Sequence, residues 1–446
     1  MPTLIERLKY AFTGKPAQES PAPATPAAVP RHRSKVDAAQ TNEENRRHWA
    51  NADFLGPNAA FDADVCAKLR SRSRYEALNG SYLKSLIKTV SYDLIGTSPR
   101  PEFKLPGDAD GELGKAVESK FAKWSRVNLL GRNLRVLHKS AVRDGAGFAV
   151  LTTDPDSPDP VQLTVRLIES DQCVTPPQFA NDPMVHQGKR VNGVGRPTEY
   201  YFLRRHPGEL GPGARAEFAI AQARFTLHWY EQDRAGQQNG IPQTTPALPL
   251  FAQLRRYSQA VLTAAEVAAM IAGVLKSTMA TAESAVAIDD WESFEMVRGA
   301  LMTLPDGWEA SQFKPEQPTT NYPDYERTKL NEAGRSVNAP LNVTTGNSSG
   351  YNFSSGRLDH LPYQRGAWID RDEFEQIVFD PIVSAWAEEA TQIAGYLPAG
   401  LPPLEDWTWS TNWDGFDEID QVKSASADDQ RLRNGTTTLA TIAAQR

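Results

Sequence analysis

Serine, histidine, cysteine and the carboxylates are the residues able to do covalent or metal chemistry, so their spacing decides which reactions are open. Gly346-Asn347-Ser348-Ser349-Gly350 matches the G-x-S-x-G pattern of a nucleophile elbow. That pattern works on a sharp strand-to-helix turn, with a histidine and an acid supplied from elsewhere. Here polar residues flank it on both sides, and the one histidine that follows, His360, comes only twelve residues after Ser348. The seven histidines (32, 48, 138, 186, 206, 228, 360) form no HxxxH or HExxH pair, and no Walker A or GxGxxG run occurs. His228, between Leu227 and Trp229 in a strand pattern, reads as a structural histidine. Cys66 and Cys173 are the only cysteines, so one disulfide is the most that could form and no zinc spacing exists. The acidic pairs Asp289-Asp290 and Glu388-Glu389 would hold a metal only with help from elsewhere and read as solvated faces. The residues therefore point to no enzyme, no cofactor and no metal, with a serine hydrolase on Ser348 as the outlying alternative.

Bulk properties narrow the class further. The chain has 446 residues, enough for two or three substructures. Lys and Arg total 48 against 55 Asp and Glu, a formal charge of −7. A protein that grips duplex DNA by neutralising phosphates should lean basic, and this one does not. The longest mostly apolar stretch, 264–275, contains Glu266 and is too short to span a bilayer, so no membrane partner is expected. Two cysteines and no secretory pattern at the N-terminus suggest a reducing compartment.

The elements that must position any site follow from periodicity. Residues 1–12 could form a short amphipathic helix, and 13–45, with five prolines between 16 and 30, read as a tail. Its one basic cluster, 31–35, reads as a solvated charge run. Residues 60–94 and 111–142 look helical, with a break at 98–103. Strands are expected at 145–154, 161–169, 199–205 and 223–230. Residues 46–235 thus read as a helical layer followed by an antiparallel sheet, an α+β unit.

Leu250, Leu254, Tyr257, Val261, Ala264, Ala268, Ile271 and Leu275 step by fours and threes through 248–276. That spacing predicts a seamed helical rod of about 43 Å. Small residues in its later half allow close approach, either to a helix of the same chain or to further copies of itself in a ring. Two short strands around Pro305-Asp306-Gly307 and a polar helix over 323–337 follow. Residues 342–356 are dominated by Asn, Ser, Thr and Gly, a loop long enough to be functional or disordered. Residues 366–396 read as a helix interrupted at Pro381, and 407–413 lead to a last helix near 417–433.

Taken in order, these segments resemble the lambda-like family of phage portal proteins. The resemblance rests on 71–97 as an opening helix, and on SAVRDGAGFAVL (140–151) and RLIESDQCVTPP (166–177) as wing strands. It also rests on GVGRPTEYYFLRRHP (193–207) and on HWYEQDRAGQQNGIPQ (228–243) before the first stem helix. NFSSGRLDHL (352–361) matches an N-Y-S-S-x-R signature with Phe353 for the tyrosine, and 379–395 matches a P-x-x-x-x-W helix.

The resemblance implies an α+β portal fold in a ring of twelve: an α/β wing, long stem helices, a small clip and a tunnel loop. It implies a tail over 1–45, a wing over 46–245, a first stem helix over 246–277 and a clip over 278–320. A second stem helix would span 321–337, a channel-facing tunnel loop 338–356, and wing closure with the start of a crown 357–446. The loop residues facing DNA would be Asn342, Val343, Thr344, Thr345, Gly346, Asn347, Ser348, Ser349 and Gly350, and the seam at 250–275 would pack the stem. The family usually continues with more helices after 433–446, so the crown is expected to be minimal or to lie beyond this sequence. The implied partners are other copies of the chain, double-stranded DNA held without sequence preference, the large terminase, the major capsid protein and head–tail adaptors. The implied place is the portal vertex of the virion, after assembly in the host cytoplasm. A different head–tail connector or minor capsid protein is the alternative.

Overall fold

The computed structural model describes residues 43, 46–209, 211, 215–270, 274–277, 308–311, 322–416, 421–439 and 442. The expectations for 1–12, 13–42 and most of the clip lie outside them. The chain divides into two units, Met1–Leu55 and Gly56–Arg446. The described part of the first is a run of turns over 46–51 followed by chain without regular structure.

The second unit starts with helices α1 (Ala63–Asn79) and α2 (Ser81–Ile95), strand β1 (Arg100–Lys104), and helices α3 (Glu112–Val127) and α4 (Leu130–Asp144). Each of the two expected long helices is therefore broken once. Gly80, extended at φ −117°, separates α1 from α2. Leu129, left-handed at φ 51°, separates α3 from α4. The amide of Asn133 bonds the Asn128 carbonyl across that break, which offsets part of the cost of a left-handed leucine. A Cβ on Gly131 would overlap the Thr97 carbonyl, so α4 lies directly on the end of α2. Arg135 completes the joint by donating to the Gly96 and Thr97 carbonyls at 2.7 and 2.6 Å.

Strands β2 (Gly147–Thr153), β3 (Leu163–Ile168), β4 (Val185–His186), β5 (Lys189–Val191), β6 (Pro197–Leu203), β7 (Phe218–Gln222) and β8 (Thr226–Trp229) follow. The expected single sheet is two, a three-stranded β3-β2-β8 sheet and a four-stranded β4-β5-β6-β7 meander. The aromatic cluster of Phe148, Tyr200 and Phe202 joins them, and an isolated bridge ties Cys173, beyond the end of β3, to Phe202 of β6. The break at 98–103 is in fact β1. It pairs with β11 (Thr408–Asn412) in register Arg100↔Asn412, a partner too distant in sequence for periodicity to find.

Helix α5 (Leu248–Met270), strands β9 (Val274–Ser277) and β10 (Trp308–Ser311), α6 (Tyr322–Gly334), α7 (Leu341–Thr345), α8 (Phe353–Phe374), α9 (Asp380–Gln392) and α10 (Gln421–Arg433) complete the order. Within the stretch expected as a first stem helix, 246–277, residues 248–270 are helical and 274–277 form a strand. A π-type turn over Glu375–Phe379 joins α8 to α9 in one continuous helical run, and Pro381 stands just past it, where the locally widened ladder accommodates a residue with no N–H. The main core gathers Phe121, Trp124, Phe374, Phe379 and Trp386, with Phe121 edge-on to Trp386 at 5.1 Å.

His138 is buried in this interior at 2% exposure. The Ser91 hydroxyl donates to the Ile87 carbonyl, so the His138 Nδ1–H donates to Ser91 Oγ at 2.9 Å. Burial pushes its pKa down to about 4 from 6.5. The folded chain therefore binds fewer protons than the unfolded one between those values. Stability is lost as pH falls from 6.5 towards 4, by roughly 3 kcal/mol at the acid end. In His138→Gln, urea unfolding at pH 7 and pH 4.5 should show that difference reduced by roughly 2 kcal/mol.

Candidate functional site

The stem pair is built from the turn that precedes it. Gln237 is fully buried, accepts from the Asp233 and Arg234 N–H groups on Oε1, and donates to the Asn239 carbonyl. A Cβ on Gly240 would overlap the Gly145 carbonyl and lie 2.7 Å from Tyr230 Cβ. The R-x-x-Q-x-x-G-x-P stretch is thus a self-bonded wedge that sets α5 against the end of α4. Gly240→Ala should lower stability by about 3 kcal/mol through forced separation of two backbones, read as a fall in thermal midpoint; an unchanged midpoint would remove the wedge.

Of the seam residues, Leu254 is buried and Leu250 half-buried, in a cluster with Leu248, Phe251, Leu330, Ala333 and Tyr363. Leu248 and Phe251 were missed, although the three-residue spacing of 248, 251 and 254 was visible. Tyr257 packs against Tyr322 at 5.7 Å and Tyr325 at 4.5 Å, and Ser258 Oγ lies 2.7 Å from Tyr322 Oη. The first half of α5 therefore packs against α6 of its own chain. Beyond it, Val261 and Ala264 are half-buried while Leu262 is 60% exposed. Ala268 falls within α5, and Ile271 lies outside the described residues. Leu275 is not on the helix. It belongs to β9, opposite Ala310 of β10.

About half of the expected loop over 338–356 is helical, 341–345 as α7 and 353–356 as the start of α8. Asn338 ends the second stem at φ 56°, and 341–345 form α7. Thr344 is 1% exposed, and its hydroxyl donates to the Pro340 carbonyl. A Cβ on Gly334 would run into Thr344 Oγ1, so α7 is seated on the end of α6. Asn342 and Val343 are half-buried, and the Asn342 amide nitrogen lies 2.8 Å from His360 Nε2. These residues, with Thr345, anchor the loop and are not its free part. Polar composition concealed this, since threonine and asparagine bond locally to backbone and to helix ends.

The far anchor is Asn352, the N-cap of α8. Its side chain accepts from Ser355 N–H at 2.9 Å, and Ser355 Oγ accepts from Asn352 N–H at 3.2 Å. That reciprocal pair is the physical content of the N-F-S-S signature. Tyr351 closes the tip with its N–H donating to the Ser348 carbonyl at 3.0 Å, and burial and the nearby Asp359 carboxylate push its phenol pKa up. Between the anchors stand Gly346, Asn347, Ser348, Ser349 and Gly350, all exposed. Gly346 is left-handed at φ 65°, as the end of α7 requires. Asn347 Oδ1 accepts from Ser349 N–H at 2.9 Å, an Asx turn that shapes the tip.

A cavity of about 270 Å³ lies beside this tip, lined by Tyr82, Glu326, Arg327, Leu341, Ser349 and Tyr351 among others. The tip itself carries no charge, but Arg327 of α6 supplies a cation at its flank, with Nη2 3.8 Å from where a Cβ of Gly350 would stand. No elbow exists at Ser348, which follows a helix rather than a strand, and His360 is engaged with Asn342. Glu169, Asp171 and His206 converge elsewhere in the wing, but Arg70 and Arg74 already pair with Asp171. His206 Nδ1 accepts from Gly208 N–H at 3.0 Å, which turns the Nε2 proton toward the acids and makes this an ion-pair cluster rather than a cation cage.

The paired helices α5 and α6, the two small sheets and the short capped loop follow one another in the expected order, and the sequence comparison supplies the family. The chain belongs to the lambda family of phage portal proteins, whose family model matches residues 45–369. It is 23% identical over 465 residues to the "Probable portal protein" of Halomonas phage phiHAP-1, covering 95% of this chain and 85% of that one. Among solved structures it is similar to a chain of the virion of a native gene transfer agent particle. That match has a TM-score of 0.47 and 13% identity over 82% of this chain and 89% of the other. It is also similar to an HK97 family phage portal protein from Corynebacterium diphtheriae, with a TM-score of 0.31 and 12% identity over 76% and 94% of the two chains.

Proposed function

We propose that copies of this chain close into a ring, twelve in number, whose axial channel carries double-stranded DNA into and out of a phage head. Residues 56–247 form the wing, α5 and α6 the stem, and 346–350 the tip that faces the duplex. The observation that carries this reading is that tip: five exposed, uncharged residues held between two anchored helices. Short neutral side chains make brief hydrogen bonds to phosphate and release it, where a lysine-rich wall would hold it. The overall charge of −7 fits passage without sequence preference. The ring works as a channel and not as an enzyme. It offers the large terminase a docking site during packaging in the host cytoplasm. In the virion it sits at one vertex, against the major capsid protein and the head–tail adaptors.

Electron micrographs of the purified protein test this directly. Rings with a central hole should appear, and native mass spectrometry should give about 590 kDa for twelve chains of 49.2 kDa. Monomers alone at micromolar concentration would overturn the reading.

A further inference from the structure

The β4–β5 hairpin turns on Gln187 (φ 44°) and Gly188 (φ 79°), both left-handed, as a two-residue turn of this hand demands. Gln187 is not the residue such a turn prefers, and two sets of bonds hold it there. Its side-chain amide donates to the Phe61 carbonyl, which also accepts from the Cys66 thiol. Its own carbonyl accepts from two further groups, the Cys173 thiol at 3.4 Å and the Lys189 amine at 3.2 Å. A Cβ on Gly188 would come within 3.0 Å of Cys173 Sγ, so the sulfur is packed against the turn itself.

A thiol and a primary amine thus meet on one oxygen atom inside the wing. Cys173 is 8% exposed and Lys189 is 3% exposed. The amine lies 5.8 Å from the centre of the Phe148 ring, and the Gln187 carbonyl is its one hydrogen-bond acceptor among the described residues. An ammonium would offer three protons to one acceptor here, so burial lowers the Lys189 pKa and favours the free amine, a nucleophile. Cys66 bonds a different carbonyl, across the Gln187 side chain.

We propose that Cys173 and Lys189 form an oxidative cross-link through one bridging oxygen. The oxidant is dioxygen, small and uncharged enough to enter a packed interior during local opening. The step is Cys–SH + Lys–NH2 + O2 → Cys–S–O–NH–Lys + H2O. The S–H bond and one N–H bond break, and S–O and O–N bonds form. Sulfur and nitrogen together lose four electrons to dioxygen, whose second oxygen leaves as water with both protons. The link replaces two buried polar groups by a neutral one and ties β5 to the segment after β3 that pairs with β6 at Cys173 and Phe202. A reducing cytosol would keep the pair open, and exposure to air would close it.

The test uses the full-length wild-type protein, held in air or under dithiothreitol, then digested and sequenced by mass spectrometry. Air should give a linked peptide pair containing Cys173 and Lys189, heavier than the two separate peptides by about 14 Da for one oxygen gained and two hydrogens lost. Dithiothreitol should abolish it. The species should be absent from Lys189→Arg and Cys173→Ser and should persist in Cys66→Ser. Recovery of Cys173 from the aerated wild-type protein as free thiol, as an unlinked sulfur acid or as a disulfide to Cys66 would overturn the proposal. Because that readout is taken on the wild type, a variant that fails to fold does not blunt it.

Discussion

Leu262→Glu should leave the chain folded and empty the ring fraction. Leu262 stands 60% exposed on α5, one turn beyond the part of the helix that α6 covers. Within one chain the change touches no core residue, so the thermal midpoint and helical signal should stay close to the parent, as for most surface substitutions. In the proposed ring the same position would fall between neighbouring stems, and each contact would bury a carboxylate with no partner. At about 2 kcal/mol or more per contact, repeated around the circle, closure should fail. Size-exclusion chromatography with native mass spectrometry gives the ring yield, and circular dichroism the fold. Leu262→Ala, which removes apolar area without adding charge, should reduce the yield far less. If Leu262→Glu assembles as the parent does, this face of α5 is not a contact between copies.

What was legible in the sequence was whatever depends on local pattern. The helices of the wing, strands β2, β3, β6 and β8 and the rod at 248–270 all follow from periodicity, because one face of each is buried against a neighbour. What was not legible depends on single backbone positions or on remote partners. Leu129 is a strong helix former standing in a left-handed break, and only its contacts place it there. β1 has proline in second place, Pro101, and becomes a strand only because 408–412 come back to pair with it. β7 and the β4–β5 hairpin are short elements of a meander whose neighbours define them. At the loop, composition gave the chemistry of the tip and concealed its extent. Asn342 and Thr344 look like Asn347 and Ser349 in a sequence, yet the first pair fastens the loop and the second pair is its surface.

That distinction decides how the loop can be tested. A lysine at Thr344 would be driven into a site with 1% exposure against Gly334, so loss of packaging there would report a damaged anchor. Asn347 shapes the tip through its Asx turn. Ser348 and Ser349 are exposed, and their side chains make no hydrogen bond among the described residues. Lysines at these two places should therefore keep the fold and the ring. In the proposed ring of twelve they would add about two dozen positive charges facing the duplex, and each close contact with a phosphate would have to be broken for the DNA to advance. Packaged DNA, measured as the nuclease-protected fraction in filled heads, should fall severalfold, and the deficit should shrink as salt is raised. Glutamine at the same two positions, equally long and uncharged, should package close to the parent. Removing Asn347–Ser349 should leave ring yield intact, since Thr344, Tyr351 and Asn352 remain, and should impair retention of full-length DNA. Lysine variants that form rings and package as the parent does would place the tip away from the DNA, and the channel assignment of 346–350 would fall with it.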